Sequence, residues 1–274
     1  MEMRPPVPMQ RARGCAEVSV SLRDGAVRLD RLFQQGCAKA LLPNAHGAAP
    51  EVVLLNTAGG LTGGDRLDVS LAVGPGATLT ATTQAAERIY RAASGIARVA
   101  TRLSLGAGAT LDWLPQETIL FEAGRIERRL DADMAADARL TLLETLVLGR
   151  AAMGETVGSG HFADQWRIRR AGRLVHAEAL RLSGDVARAA AGPATLNGAR
   201  ALATLVYLAP DAEARLATAR ALLVTLTGVE AAASLRENVL ILRFLALGHA
   251  PLRAALVSFL AAFRGVPPPR VWSL

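Results

Sequence analysis

Four polar side chains stand where apolar, strand-like runs end. They are Asp65 behind the glycine-rich stretch NTAGGLTGGDR (56–66), Gln84 beside Thr83 after Leu79, Glu117 in Leu114-Pro-Gln-Glu, and Glu144 in Leu142-Leu-Glu. Carboxylate and amide oxygens suit a divalent cation, and spread along one interior path they hold it loosely. Loose sites in series are what transfer requires, because an ion that binds must also leave. The other reading is that each is a hydrogen-bonded strand end, the commoner fate of a single buried polar group.

Other chemistry finds little support in the residue pattern. His46, His161, His176 and His249 are far apart, with no neighbour at metal-site spacing, so no permanent zinc site is expected. There is no GxSxG or HExxH, and neither Cys15 nor Cys37 has a local catalytic setting. The glycine stretch lacks the Lys-Ser/Thr of a P-loop, reads GGxxGG rather than GxGxxG, and leads into a strand instead of a helix N-terminus. It is therefore read as a shaped turn between two strands, with Gly59, Gly60, Gly63 and Gly64 supplying unusual backbone conformations and Asp65 aimed by them.

The elements that must position these residues are mostly strands. Val52 to Leu55 is a continuous apolar run before the turn, and Leu67, Val69, Leu71 and Val73 alternate with smaller or polar residues after it. An opening hairpin is expected from Ala16–Leu22 and Ala26–Phe33 around Asp24-Gly25. An irregular connection, Gln34 to Ala49, should hold Lys39, Asn44 and His46. Val73-Gly-Pro-Gly-Ala-Thr-Leu-Thr80 is echoed by Leu105-Gly-Ala-Gly-Ala-Thr-Leu-Asp112, by Met134 to Thr141, and by Arg170 to Val175. With Leu79, Leu111, Leu140 and Leu174 as equivalents the spacings are 32, 29 and 34 residues. Either similar hairpins are laid down and stacked, or Gly-Ala-Thr-Leu is simply common hairpin composition; both readings remain open. After Ala199–Leu208, helices are expected from Pro210-Asp211 to Leu223, with Asp211 as N-cap, and from Pro251 to Phe263 before Gly265. Leu252, Leu256, Phe259, Leu260 and Phe263 share one face of the second. The fold class is thus mainly β: a layered or helical stack of β-hairpins with two C-terminal helices. It is read as a single domain over 1–274, with a β body at 16–209 and a mixed α/β cap at 210–274.

Composition limits the partners. A net charge of +7 and a pI near 10.7 invite a nucleic-acid reading. Yet Lys39 is the only lysine, and the arginines are scattered. The denser runs, Arg125 to Arg129 and Arg167 to Arg173, have strand-like spacing and few aromatics for base stacking, so they read as solvated or partner-binding surface. Apolar segments near Leu222–Leu226 and Val239–Leu247 are short and broken by Gly228 or Arg243, below the ~20 residues of a membrane span. No secretory core is visible near the N-terminus, and a reduced, cytoplasmic location is expected.

Six segments taken together resemble the urease accessory protein family UreD, also called UreH. They are NTAGGLTGGDRL (56–67), TTQAAERIYRA (82–92), LDWLPQETILFEAGR (111–125), LGRAAMGE (148–155), FADQWRIRRAGRLVHAE (162–178) and PPPRVW (267–272). The resemblance implies a non-enzymatic maturation factor that binds apo-urease together with UreF-like and UreG-like partners, the latter a GTPase, and helps install nickel delivered by a UreE-like carrier. It also implies a layered β fold, no permanently bound cofactor, and Ni2+ in transit through the interior. Carried onto matching positions, it assigns Asp65, Gln84, Glu117 and Glu144 to the ion route, and Tyr90, Arg91, Arg125 and Arg150 to shape or partner contact. Thr57-Ala58 stands where proline is common in the family, and residues 1–15 match poorly. The competing reading is a β-solenoid carbohydrate-active enzyme using Asp65 and Glu117 as an acid/base pair. It demands an open groove with exposed aromatics, and aromatic content is 4%.

Overall fold

The computed structural model describes residues 10–43, 49–150 and 153–273, so Asn44 and His46 of the expected connection lie outside the described residues. The chain opens with β1 (Arg13–Arg23) and β2 (Ala26–Gly36), joined at Asp24 and Gly25, whose φ values of 52° and 73° make the tight hairpin turn that the Asp-Gly pair encodes. There follow β3 (Ala38–Leu41), β4 (Glu51–Asn56), β5 (Arg66–Val73), β6 (Thr78–Thr83), β7 (Glu87–Ile89), β8 (Ala97–Leu105), β9 (Thr110–Leu114), β10 (Thr118–Leu120), β11 (Arg125–Met134) and β12 (Arg139–Leu148). The remainder is β13 (Ser159–Arg170), β14 (Arg173–Asp185), α1 (Val186–Ala191), β15 (Ala201–Leu208), α2 (Ala212–Val224), β16 (Glu230–Arg236), β17 (Val239–Ala246), α3 (His249–Arg264) and a 3-10 turn, Arg270–Ser273.

The strands form two facing sheets, one ordered β14-β13-β11-β8-β5-β1-β2 and the other β16-β17-β15-β12-β9-β6-β4-β3. From β4 to β13 the chain alternates between them, and strands of successive coils pair in parallel within each sheet. The protein is therefore mostly β and stacked like a solenoid. Each strand–turn–strand unit is an arch: the Gly-rich turn sends the returning strand into the opposite sheet. The turns stack on one another, with Gly76 N–H donating to Ala107 O at 2.8 Å. A Cβ on Gly106 would meet Pro75 N at 2.8 Å, which accounts for glycine there.

Leu79, Leu111 and Leu140 sit side by side in one register, so the internal repeat is physical. Leu174 does not join them. Ala171 and Gly172, at φ 50° and 77°, make a two-residue turn that pairs β14 antiparallel with β13 in the same sheet, leaving Leu174 half exposed. A third short ladder of β7, β10 and the end of β12 completes each coil, and Leu61 of the glycine stretch is its first rung beside Ile89.

Two apolar clusters fill the sandwich, one around Leu71, Leu79, Leu111 and Leu130, the other around Leu61, Ile89, Leu120 and Phe162. A third lies on the outer face of β12, β15 and β17, covered by α2 and α3. β12 is consequently buried on both faces. Phe259 and Phe263 stack 5.2 Å apart beneath α3, and burial of each contributes about 2–3 kcal/mol. The apolar face of α3 and its Gly265 stop match expectation, with Gly265 at φ 74°.

Three expectations need correction. Asp211 occupies the N-cap position of α2 but makes no capping bond, because its carboxylate accepts from the Tyr207 hydroxyl and Arg139 Nη1, each at 2.8 Å. Gln34 to Ala49 is not wholly irregular: β2 runs on to Gly36, and Lys39 lies on β3, where Ala38 and Ala40 point inward and pair with β4. The basic run Arg125–Arg129 is not all surface, since Arg128 turns into the interior.

Candidate functional site

Between the two interior clusters runs a layer of polar side chains. Strand alternation puts them there: Arg128 lies between inward-facing Ile126 and Leu130, Asp164 between Phe162 and Trp166, and Glu144 between Leu142 and Leu146. Parallel pairing sets Arg128 directly beside Asp164 in one sheet, and Glu144 approaches from the other. Positions that a hydrophobic rule would fill with leucine thus carry charge.

The geometry centres on Arg128. One guanidinium nitrogen, Nη2, is bonded to Glu144 Oε2 and lies 3.6 Å from Asp164 Oδ2, while Nη1 donates to Thr118 Oγ1 at 2.7 Å. The Phe162 ring lies 6.0 Å away, within cation–π range. The second oxygen of Glu144 accepts from Trp113 Nε1 at 2.9 Å. Asp164 Oδ1, by contrast, is buried without a formed hydrogen bond. Beside this cluster is a cavity of about 210 Å³ whose polar wall includes Asn56, Gln84, Glu87, Thr118, Arg128 and Glu144. Asn56, the first residue of the glycine stretch, donates from Nδ2 to both Glu87 oxygens at 3.0 and 3.2 Å. At the far side of the layer Arg243 Nη2 donates to Glu178 Oε2 at 2.7 Å, and His176 Nε2 lies 3.7 Å from the same oxygen.

Burial controls the charge states here. It pushes the Glu87 carboxyl up to about 7, against the hydrogen bond from Asn56 and the attraction of Arg128. It likewise pushes Asp164 up to about 6, with Arg128 pulling the other way and Glu144 adding repulsion. Burial alone would depress Arg128, but Asp164 and Glu144 together hold it above the usual arginine value. The layer is an acid-rich interior in which Arg128 is the buried guanidinium, while Arg243 at its far side is largely exposed.

The eight residues singled out by sequence fall into separate groups. Gln84 and Glu144 line the cavity. Asp65, only 5% exposed, fastens the glycine stretch: Oδ1 accepts from Ala12 N–H and Oδ2 from Thr62 N–H, both at 2.8 Å. Glu117 faces α3, with Arg253 Nη1 at 3.1 Å from Oε2 and His249 Nε2 at 3.0 Å from Oε1, the latter not aimed for a well-formed hydrogen bond. Burial would raise Glu117, yet the contacts with His249 and Arg253 outweigh it and hold the carboxyl below its ordinary range. Tyr90 and Arg150 meet on Phe121: the Tyr90 ring packs edge-on at 5.3 Å and the Arg150 guanidinium lies 4.6 Å away. Arg91 is exposed and bridges to Gly124, next to exposed Arg125, so these four gather at one end of the sandwich. Glu87, Arg128 and Asp164 were not foreseen, although their period-two placement among apolar residues is visible in the sequence.

Among the described residues no group of three or more His, Cys, Asp or Glu side chains is gathered as for a resident metal ion, and no helix is long and apolar enough to cross a membrane. A family model described as UreD urease accessory protein matches residues 12–273. The urease accessory protein UreD of Rhizobium etli is 48% identical over 266 residues, spanning 97% of this chain and 96% of the relative. Its counterpart from Methylobacterium sp. (strain 4-46) is 50% identical over 268 residues, spanning 96% and 95%, and that from Agrobacterium fabrum 46% over 270 residues, spanning 98% and 94%. The matches run through the glycine stretch, both sheets and the C-terminal helices.

Proposed function

The chain belongs to the UreD family of urease accessory proteins, and from that premise we propose that it matures urease by guiding Ni2+ through its polar interior layer. It acts as a scaffold between apo-urease and UreF-like and UreG-like accessory proteins, the latter supplying GTPase chemistry, with a UreE-like carrier upstream. It performs no turnover of its own and works in the cytoplasm. Nickel is cargo here, held in passing and released.

The observation that carries this reading is the acid-rich layer itself. Glu144 and Asp164 are buried inside an otherwise apolar sandwich, and Glu144 lines a cavity together with half-buried Glu87 and the exposed Gln84. Buried carboxylates cost folding stability that apolar residues in their place would not, and oxygen donors spread along a path suit a divalent cation that must move on. Asp65 and Glu117 serve the route at one remove: Asp65 shapes the loop from which Asn56 reaches Glu87, and Glu117 ties α3 to the β body. The end of the sandwich bearing Tyr90, Arg91, Arg125 and Arg150 is the partner-binding surface.

The test is made in cells carrying a urease operon with this gene deleted, wild-type, or encoding Glu87→Gln with Glu144→Gln. We expect deletion to abolish urease nickel, and the double variant to retain its partners in a pull-down while leaving urease at least tenfold poorer in metal. Normal nickel in the double variant sinks the interior route. In the same pull-down, Tyr90→Ala with Arg150→Glu should lower partner recovery several-fold, and full recovery would move the partner surface elsewhere.

A further inference from the structure

We propose that the Arg128 guanidinium is a tethered plug: it occupies the place of a divalent cation between Glu144 and Asp164, and a passing ion must displace it. This rests on the interior route above and adds to it a gate. Nη2 faces carboxylate oxygens from both sheets, Glu144 Oε2 in a direct bond and Asp164 Oδ2 at 3.6 Å, while the Thr118 hydroxyl holds the neighbouring nitrogen at 2.7 Å. Two carboxylates and a hydroxyl around one positive centre is the donor set a hard cation takes. A second observation is independent of the arginine: Asp164 is 5% exposed, and its Oδ1 and the Trp166 Nε1 beside it are both buried without a well-formed hydrogen bond, so Trp166 satisfies the carboxylate only in part.

Charge decides what can take the place of the plug. The two carboxylates carry two negative charges and Arg128 neutralises one of them, so a monovalent ion entering in its stead gains nothing. A divalent ion neutralises both, and in a poorly solvated interior that difference is large. Arg128 therefore selects for divalent over monovalent cations and keeps the station closed when none is present. It also has somewhere to go. Its side chain borders the 210 Å³ cavity, several times the ~30 Å³ that one water occupies in the liquid. The Glu87 carboxylate borders the same cavity and already acts on the charge of Arg128. Glu87 receives the displaced guanidinium, and Arg128 returns to Glu144 once the ion has moved on.

The experiment titrates the full-length chain, held with its co-expressed partners, with Ni2+ alone in equilibrium dialysis with metal quantification, in the presence of excess Na+. Arg128→Met is expected to bind one Ni2+ at least tenfold more tightly than wild type, Arg128→Lys to gain less, and Arg128→Met with Glu144→Gln to lose the gain. Should Arg128→Met fail to fold, Arg128→Lys, which keeps the charge on a smaller head with fewer bonds, carries the test. No gain in folded variants, or a gain that survives Glu144→Gln, overturns the plug. The two readings separate cleanly. Loss of urease nickel in Glu144→Gln without any binding gain at Arg128 removes the plug and leaves the route. A binding gain together with normal urease nickel in Glu144→Gln keeps a buried cation site and ends the route.

Discussion

Glu87 shows how a single carboxyl sets a pH dependence. Its pKa in the folded protein is about 7 against an ordinary value of 4.5, because burial disfavours the charge. The unfolded chain therefore gives up this proton first, and stability falls as pH rises from about 4.5 to about 7, remaining lower above that. Glu87→Gln keeps an oxygen for Asn56 and removes the titration. We expect it to match wild type below pH 4.5 and to be more stable at pH 8, by up to about 3 kcal/mol, read from denaturant melts at both pH values. Equal differences at the two pH values would mean that the carboxyl is not desolvated. At this scale the sequence was half legible. Gln84 stands out because it closes an apolar run; Glu144, expected at a strand end, lies inside β12 with Leu146, Val147 and Leu148 beyond it. Arg128 does not stand out, because it sits in an arginine-rich stretch whose composition suggests surface, although its phase between Ile126 and Leu130 points inward.

For the elements, what a sequence spells is strand, turn, strand; which sheet takes the returning strand is decided by tertiary pairing. That is why the repeat through Leu79, Leu111 and Leu140 was readable while its arch geometry was not, and why Leu174, after a two-residue Ala-Gly turn, was counted with the wrong set. Short strands such as β7 and β10, three residues each, carry no periodicity to read. The glycine stretch illustrates how unequal adjacent glycines can be. A Cβ on Gly60 would lie 2.4 Å from Tyr90 Cε2 and 2.7 Å from Arg88 O, whereas one on Gly59 would meet nothing within 4 Å, leaving only the penalty of φ 77°. Gly60→Ala should cost about 2–4 kcal/mol and Gly59→Ala about 1–2 kcal/mol in thermal or denaturant unfolding. A reversed order would show that the loop does not hold this path.

Over the whole molecule, the β body and the helical cover are fastened at several places, among them Arg264 of α3 on Asp112 of β9 and a tie at the C-terminal end of the chain. Trp272, 4% exposed, donates from Nε1 toward Thr82 Oγ1 at 3.1 Å and Leu114 O at 3.2 Å, and Arg253 of α3 spans Gln116, Glu117 and Trp272 O. Trp272→Ala removes an aromatic core and two polar ties, and should destabilise the protein by about 3–5 kcal/mol in denaturant unfolding. A loss under 1 kcal/mol would mean that the cover is held elsewhere. The stack also has a temporal side, because its coils lie in chain order and each new strand needs only the preceding coil to pair with. At about 5–20 residues per second of synthesis, a coil emerges every few seconds onto a finished template. β12 is the exception: its outer face waits, bare and apolar, for β15, α2 and α3 to leave the ribosome. A pause in translating that stretch would hold a nearly complete sandwich with its stickiest surface open, so the speed of the ribosome over the last helices is itself a determinant of yield.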